Sequence, residues 1–213
     1  MTTRRALVVR GGWEGHLPVE ATDLFVPFLR DNGFEVTVSG STSSYLDLDG
    51  TDLVLQCISM GEITAEELKG LETAVRNGTG LAGWHGGIVD SFRNSSDYQF
   101  MTGGQFVSHP GGFVDHRIDV VADHPIVAGL ESFDLHTEQY YVHADPTNTV
   151  LATTTFKAHP DFPWIEGATM PAVWTRTWGE GRVFVCTPGH SLADLAVPEV
   201  RTIVERGLLW AAK

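Results

Sequence analysis

The first half of the chain alternates short apolar runs with segments whose apolar residues recur three and four positions apart. Ala6-Leu7-Val8-Val9 predicts a buried parallel strand, ended by Gly11-Gly12 in a loop carrying Trp13, Glu14 and His16. Pro18 opens a predicted helix through Asp31, with Leu24, Phe25, Phe28 and Leu29 on one face and Gly33 as its stop. Phe34 to Val38 alternates as a second strand. Asp52 to Cys57 is a third, after a polar turn region with Leu46, Leu48 and the Asp47/Asp49 pair. From Ile63 to Asn77 the pattern is helical: Thr64 caps, Glu67 completes a capping box, and Leu68, Leu71 and Val75 share a face. A fourth strand runs from Gly80 to Gly83. This alternation predicts a parallel, doubly wound α/β sheet with its first four strands parallel.

The second half changes rhythm. Val114 to Val121 and Leu135 to Val142 read as longer strands of mixed polarity, followed by Val150 to Phe156, Ala172 to Thr177 and Arg182 to Thr187. Trp178-Gly179-Glu180-Gly181 is a hairpin turn between the last two, so antiparallel edge strands are expected here. Pro198 to Ala212 closes the chain as an amphipathic helix with Val200, Ile203, Val204, Leu208 and Leu209 inward. No repeat or linker interrupts the pattern, which predicts one domain over residues 1–213.

The densest local signal is Gly80-Leu81-Ala82-Gly83-Trp84-His85-Gly86-Gly87, with four glycines in eight residues. Glycines around one central residue let a strand turn sharply into a helix and lift that side chain above the sheet's carboxyl edge, as in a nucleophile elbow. The central residue is His85 rather than Ser or Cys, so acyl transfer is not expected; imidazole there can bind a metal, move a proton, or merely cap the helix.

Two further histidines end predicted strands: His16 after the first, and His190 in Thr187-Pro188-Gly189-His190 after the last. If those strands are parallel, His16, His85 and His190 open on one edge and could hold a divalent metal, zinc or a similar ion. A polar pocket that binds substrate through these histidines without metal fits equally. Glu138, in Thr137-Glu138-Gln139-Tyr140-Tyr141, is either a general acid/base near them or the exposed member of a strand. That makes His85, Glu138 and His190 the catalytic candidates. Trp13, Glu14, Trp84, His109 and Tyr140 are the substrate-binding candidates, the tryptophans offering flat faces to a sugar ring. His109 lies in a predicted loop, Gly104 to Pro110, whose Phe106 suits either a wall or the core. His124, before Pro125, reads as structural.

Composition narrows the partners. A formal charge of −13 with no basic cluster disfavours nucleic acid. No P-loop occurs, and Gly11-Gly12 lacks the rest of a dinucleotide fingerprint, so no nucleotide is expected. No apolar run has membrane-spanning length. Met1-Thr2-Thr3-Arg4-Arg5 enters a strand with no secretory leader. Cys57 and Cys186 sit singly in apolar strands, so a reducing cytoplasm and two separate free thiols are expected.

Taken in order, Gly11-Gly12-Trp13-Glu14-Gly15-His16, Gly83-Trp84-His85-Gly86-Gly87, Gly104 to Pro110, His124-Pro125-Ile126, Pro171-Ala172-Val173-Trp174, Gly181-Arg182-Val183-Phe184 and Gly189-His190 resemble the trehalose-utilisation, or ThuA-like, family along nearly the whole chain. The resemblance implies a variant of the class I glutamine amidotransferase fold, a flavodoxin-like three-layer sandwich. His85 stands where the amidotransferases carry cysteine, so glutaminase activity is not carried over. Thr137-Glu138 replaces the Asp-Glu pair of many family members, which tells against a paired-carboxylate mechanism.

The family's place in disaccharide catabolism, beside sugar oxidoreductases that make keto-sugars, implies a small-molecule carbohydrate substrate and a functional link to such an oxidoreductase. The expected activity is isomerisation, elimination or hydrolysis of a sugar or keto-sugar by metal or imidazole chemistry. The alternative is a non-catalytic sugar-binding or accessory subunit of a sugar dehydrogenase system. A hydrolase using Cys57 or Cys186 is disfavoured, since neither is at the elbow. Exposed aromatics would suit a homodimer without fixing its interface.

Overall fold

The computed structural model describes residues 3–212. A nine-stranded sheet has the order β2-β1-β3-β4-β11-β10-β9-β6-β7. Its strands are β1 (Arg4–Gly12), β2 (Phe34–Ser39), β3 (Leu53–Ser59), β4 (Gly80–Trp84), β6 (Phe113–Val120), β7 (Phe133–Glu138), β9 (Thr149–Thr155), β10 (Thr169–Trp178) and β11 (Gly181–Cys186). The first four are mutually parallel, as the sequence predicts, and β11 adds parallel to β4. From β11 outward, β10, β9, β6 and β7 pair antiparallel, so the antiparallel part is a four-strand wing rather than a trimmed edge. A two-stranded ribbon of β5 (Gly104–Ser108) and β8 (Tyr141–Ala144) lies apart from this sheet.

Strand alternation divides the core into two layers. Ala6 and Val8 of β1, Leu53 and Leu55 of β3, and Phe184 and Cys186 of β11 face one side. There they meet α1 (Pro18–Asp23), α2 (Val26–Asp31) and α7 (Pro198–Ala211), through Ala21, Phe25, Leu29, Ile203 and Leu208. Leu7, Val9, Val54, Val183 and Val185 face the other, against α3 (Ala65–Arg76), α4 (Gly86–Val89) and α5 (Ser96–Thr102). Period-two alternation with both faces apolar is what a sheet covered by helices on each side requires. The result is a flavodoxin-like α/β sandwich.

Local chemistry sets the boundaries. The Thr64–Glu67 capping box forms reciprocally at the start of α3. Gly179, at φ +63, takes the first central position of the two-residue β10–β11 hairpin. The single helix expected over residues 18–31 is instead two, broken at Leu24-Phe25. Pro27 has no N–H to bond the Asp23 carbonyl, and Phe25 N–H turns to Thr22 O at 2.9 Å. The expected strand from Leu135 to Val142 is also two, β7 and β8, parted at Gln139-Tyr140 and paired in different sheets. The predicted loop of Gly104 to Pro110 begins as strand β5. α5 and the short α6 (Leu192–Leu195) have no counterpart in the sequence reading.

Candidate functional site

The carboxyl ends of β1, β3, β4 and β11 converge on one edge, where open α/β sheets place ligands. His16 arrives in a single 3-10 turn, Glu14–His16, ended by Leu17 in the left-handed region at φ 47. Its Nδ1 lies 2.5 Å from Ser59 Oγ at the end of β3, which turns the other ring nitrogen to the cleft. His85 leaves β4 at φ 49 and ψ −145, a conformation costly for a residue with a Cβ and held here by a tight frame. A Cβ on Gly86 would stand 2.5 Å from His16 Cε1, and one on Gly87 would stand 2.9 Å from Cys57 Cα. Glycine at both positions therefore lets the elbow reach its neighbours. Beneath it, buried Gln56 bonds Ser91 Oγ at 2.9 Å, Tyr98 Oη at 2.5 Å and Gly87 O at 3.3 Å, while Tyr45 Oη donates to its Oε1 at 2.9 Å.

His16, His85, Glu138 and His190 each present one donor atom, and these atoms lie within 4.8 Å of one another. His85 Nδ1 is 2.8 Å from Thr187 O, so Nδ1 carries the hydrogen and Nε2 the lone pair. That Nε2 is 2.8 Å from Tyr140 Oη and 3.2 Å from Glu138 Oε2. His190 Nδ1 is also 3.2 Å from Glu138 Oε2, yet it is buried without a hydrogen-bond partner, the approach being out of line. His109 Nε2 stands 3.7 Å from Glu138 Oε1.

Burial pushes His16 down to about 3, reinforced by the neighbouring His85 and His190. Burial also lowers His85, so both rings are neutral at pH 7 and offer lone pairs. For Glu138 burial acts upward, but the close approach of His190 and His85 outweighs it and holds the carboxyl well below its usual range. His190 is raised by Glu138. Tyr140 is raised by burial and by the Glu138 charge, so it keeps its proton.

The cleft beside this cluster has a volume of about 150 Å³ and is lined by Trp13, His16, Phe106, His109, Glu138 and Tyr140, together with Met60, Asp90 and Arg93. Trp13 stands half-exposed over His16 at 4.7 Å between ring centres, and Phe113 meets His190 edge-on at 4.9 Å. A depression of about 600 Å³ beside Asp47, Asp49 and Asp52 contains none of the histidines.

Two substrate-binding candidates are not at this cleft. Trp84 is 2% exposed and packs on Phe25, 4.8 Å between centres. As the last residue of β4 it alternates into the core, and only its neighbour His85 turns toward the cleft. Glu14 is exposed in the turn that delivers His16 and does not line the cleft. Ser59, Asp90, Arg93 and Phe113 were not singled out from sequence; the acid–base spacing of Asp90 and Arg93 just after the elbow was their one available signal. His124 is structural as read, its Nδ1 accepting from Ile126 N–H at 3.3 Å.

The fold and the cluster at its sheet edge together define a flavodoxin-like α/β protein with a histidine at the strand-to-helix elbow. The chain belongs to the ThuA family, described as trehalose utilisation, whose model matches residues 5–211, and this gives it a carbohydrate-related role. Solved structures with the same fold include a ThuA-like protein from Parabacteroides merdae (17% identity, TM-score 0.80, covering 100% of this chain and 91% of that one). Another is a ThuA-like protein from Bacteroides uniformis (18% identity, TM-score 0.78, 98% and 91%). A β-galactosidase from Bacillus circulans contains a similar region (13% identity, TM-score 0.61, 99% of this chain and 31% of that one). At these identities the likeness is one of fold. No curated protein sequence matches the chain significantly. No helix among the described residues is long and apolar enough to cross a membrane.

Proposed function

We propose that this chain is an enzyme acting on a sugar or keto-sugar with a divalent cation, zinc or a similar ion, held by His16, His85 and His190. The observation that carries this is the four-residue cluster with donor atoms within 4.8 Å, in which His190 Nδ1 is buried and unpartnered. Donors around tetrahedral zinc stand about 3.4 Å apart, given Zn–N distances of about 2.1 Å, so small side-chain adjustments would close the set. Two of the rings are neutral at pH 7, as ligation requires. When bound there, such an ion would supply Lewis-acid polarisation of a sugar carbonyl.

The chain's own groups supply the rest. Glu138, ionised and placed between the histidines on one oxygen and His109 on the other, moves a proton. Tyr140 keeps its hydroxyl proton at the cleft, and where the ion takes up His85 Nε2 that hydroxyl is released to donate to a substrate oxygen that gains charge. Trp13 and Phe106 offer apolar faces to a sugar ring, and the small cleft suits one unit of a disaccharide at a time.

Metal analysis of the purified protein, paired with turnover of a keto-disaccharide panel, tests this reading. About one equivalent of metal is expected in the wild type, and its loss along with turnover in His85→Ala and His190→Ala proteins that still melt cooperatively. Full specific activity in a folded, metal-free His85→Ala protein would end the proposal. Metal-independent sugar binding without turnover would favour an accessory subunit.

A further inference from the structure

In the lining of the same cleft, the Asp90 carboxylate is buried and receives Arg93 Nε at 2.6 Å and Nη2 at 2.7 Å. This side-on pairing leaves Nη1 without a protein acceptor among the described residues, on a side chain that is half exposed at the cleft. The pair is held by unusual backbone. Met60 at φ 60 and Phe92 at φ 49 are both non-glycine residues in the left-handed region. They lock together, Met60 N–H to Asp90 O at 2.9 Å and Phe92 N–H to Met60 O at 2.7 Å, through a parallel bridge between Met60 and Ser91. Arg93 also lies 5.8 Å from the Phe106 ring centre.

We propose that the Asp90–Arg93 pair reads the non-reacting hydroxyls of the substrate and selects a neutral sugar bearing a vicinal diol over a carboxylated or phosphorylated one. The inference deepens the proposed function and rests on it for the reacting end of the substrate. A side-on ion pair presents adjacent donor and acceptor edges in one plane. One hydroxyl accepts from the second N–H of Nη2, beside the carboxylate, while its neighbour donates to a lone pair of Asp90 Oδ2, and the Phe106 ring covers the apolar face between. The pair's net charge is zero, so Asp90 and Arg93 offer an anion no unpaired cation, and the one strong positive centre is the proposed ion at the reacting end of the site. A guanidinium meant for carboxylate or phosphate would face the ligand with its fork free.

Calorimetric titration of the zinc-supplemented protein with trehalose, glucose, glucuronic acid and glucose 6-phosphate tests this, with zinc affinity measured alongside. The expected result is that wild type binds the neutral sugars and not the charged ones. Arg93→Met and Arg93→Lys should each weaken that binding at least about tenfold with zinc affinity unchanged, since lysine keeps the charge but not the fork. Neutral-sugar binding by Arg93→Met as tight as wild type would overturn the inference. So would a wild-type preference for the charged sugars that Arg93→Met abolishes, or no sugar binding at all. Failure of wild type to bind zinc, with Arg93-dependent binding of neutral sugar intact, would overturn the metal site and support the Asp90–Arg93 role.

Discussion

The hydroxyl of Thr137 donates to the carboxylate of Asp194 at 2.7 Å. Each partner is buried and sits close to a cluster residue: Thr137 precedes Glu138, and Asp194 caps the turn that follows His190, taking Ser191 N–H at 2.9 Å. The bond thus ties the end of β7 to the loop after β11 and fixes the spacing of Glu138 and His190. Thr137→Val should cost about 1.5–3 kcal/mol, the range for a hydrogen bond to a charged group. It should also weaken zinc binding while leaving His85 in place. Thermal melting and zinc titration of one preparation check this; unchanged zinc affinity would separate the bond from the site.

Gly86 is predicted to be irreplaceable for the site but not for the fold. An alanine Cβ there would press on His16 Cε1 and on Nδ1, at 2.5 and 2.8 Å, and the ring would have to leave Ser59. The expected Gly86→Ala protein is folded, binds zinc poorly and turns over little substrate. Wild-type zinc affinity in this variant would show that His16 is not needed.

Replacing Gln56 by Met should destabilise the chain by about 2 kcal/mol or more, because Tyr45 Oη loses its acceptor and Ser91 and Tyr98 lose a partner in a buried network. Urea midpoints give the value. A neutral result would mean that the network re-pairs.

Stability should fall on the acid side. Burial lowers both His16, to about 3, and His116 from the free value of 6.5. Between those limits the unfolded chain takes protons that the folded chain refuses, so stability held above pH 6.5 is lost as pH falls toward 3. His190 is raised and has the opposite sign, its contribution fading as pH rises through its elevated value. Urea unfolding from pH 8 to pH 5 should show the decline, with a shallower slope in His116→Gln. A wild-type midpoint that climbs toward pH 5 would contradict this.

Neither thiol should react in the native state. Burial pushes Cys57 up to about 12 and raises Cys186 as well, and both are free and buried. Thiol reagents should label two sites per chain only after unfolding; rapid native labelling would contradict the burial of β3 and β11.

What could be read from sequence was what neighbours in the chain decide. The Thr64–Glu67 box, the Gly179 hairpin and the glycine frame of His85 are set by residues within a few positions, and each is found where expected. So is the arrival of His16, His85 and His190 on one edge, which follows from parallel strands alone. Trp84 was misplaced although it adjoins His85, because a tight turn directs two consecutive side chains to opposite sides. The break at Gln139-Tyr140 depends on pairing of β7 with β6 and of β8 with β5, which no local pattern records. The role of Arg93 has no local signal because the segment that carries it, Asp90 to Phe92, is fixed by Met60, some thirty residues away in sequence and joined to Ser91 by a single bridge.

β11 is the last strand made and yet lies in the middle of the sheet, between β4 and β10. During synthesis β4 and the antiparallel wing exist before the strand that joins them. Until Gly181 to Cys186 has left the ribosome, both flanks keep an open, apolar edge, a state prone to wrong pairing. A nascent chain stalled before residue 181 should therefore depend on chaperones, and a truncation at residue 180 should yield an aggregating product rather than a folded, less stable one.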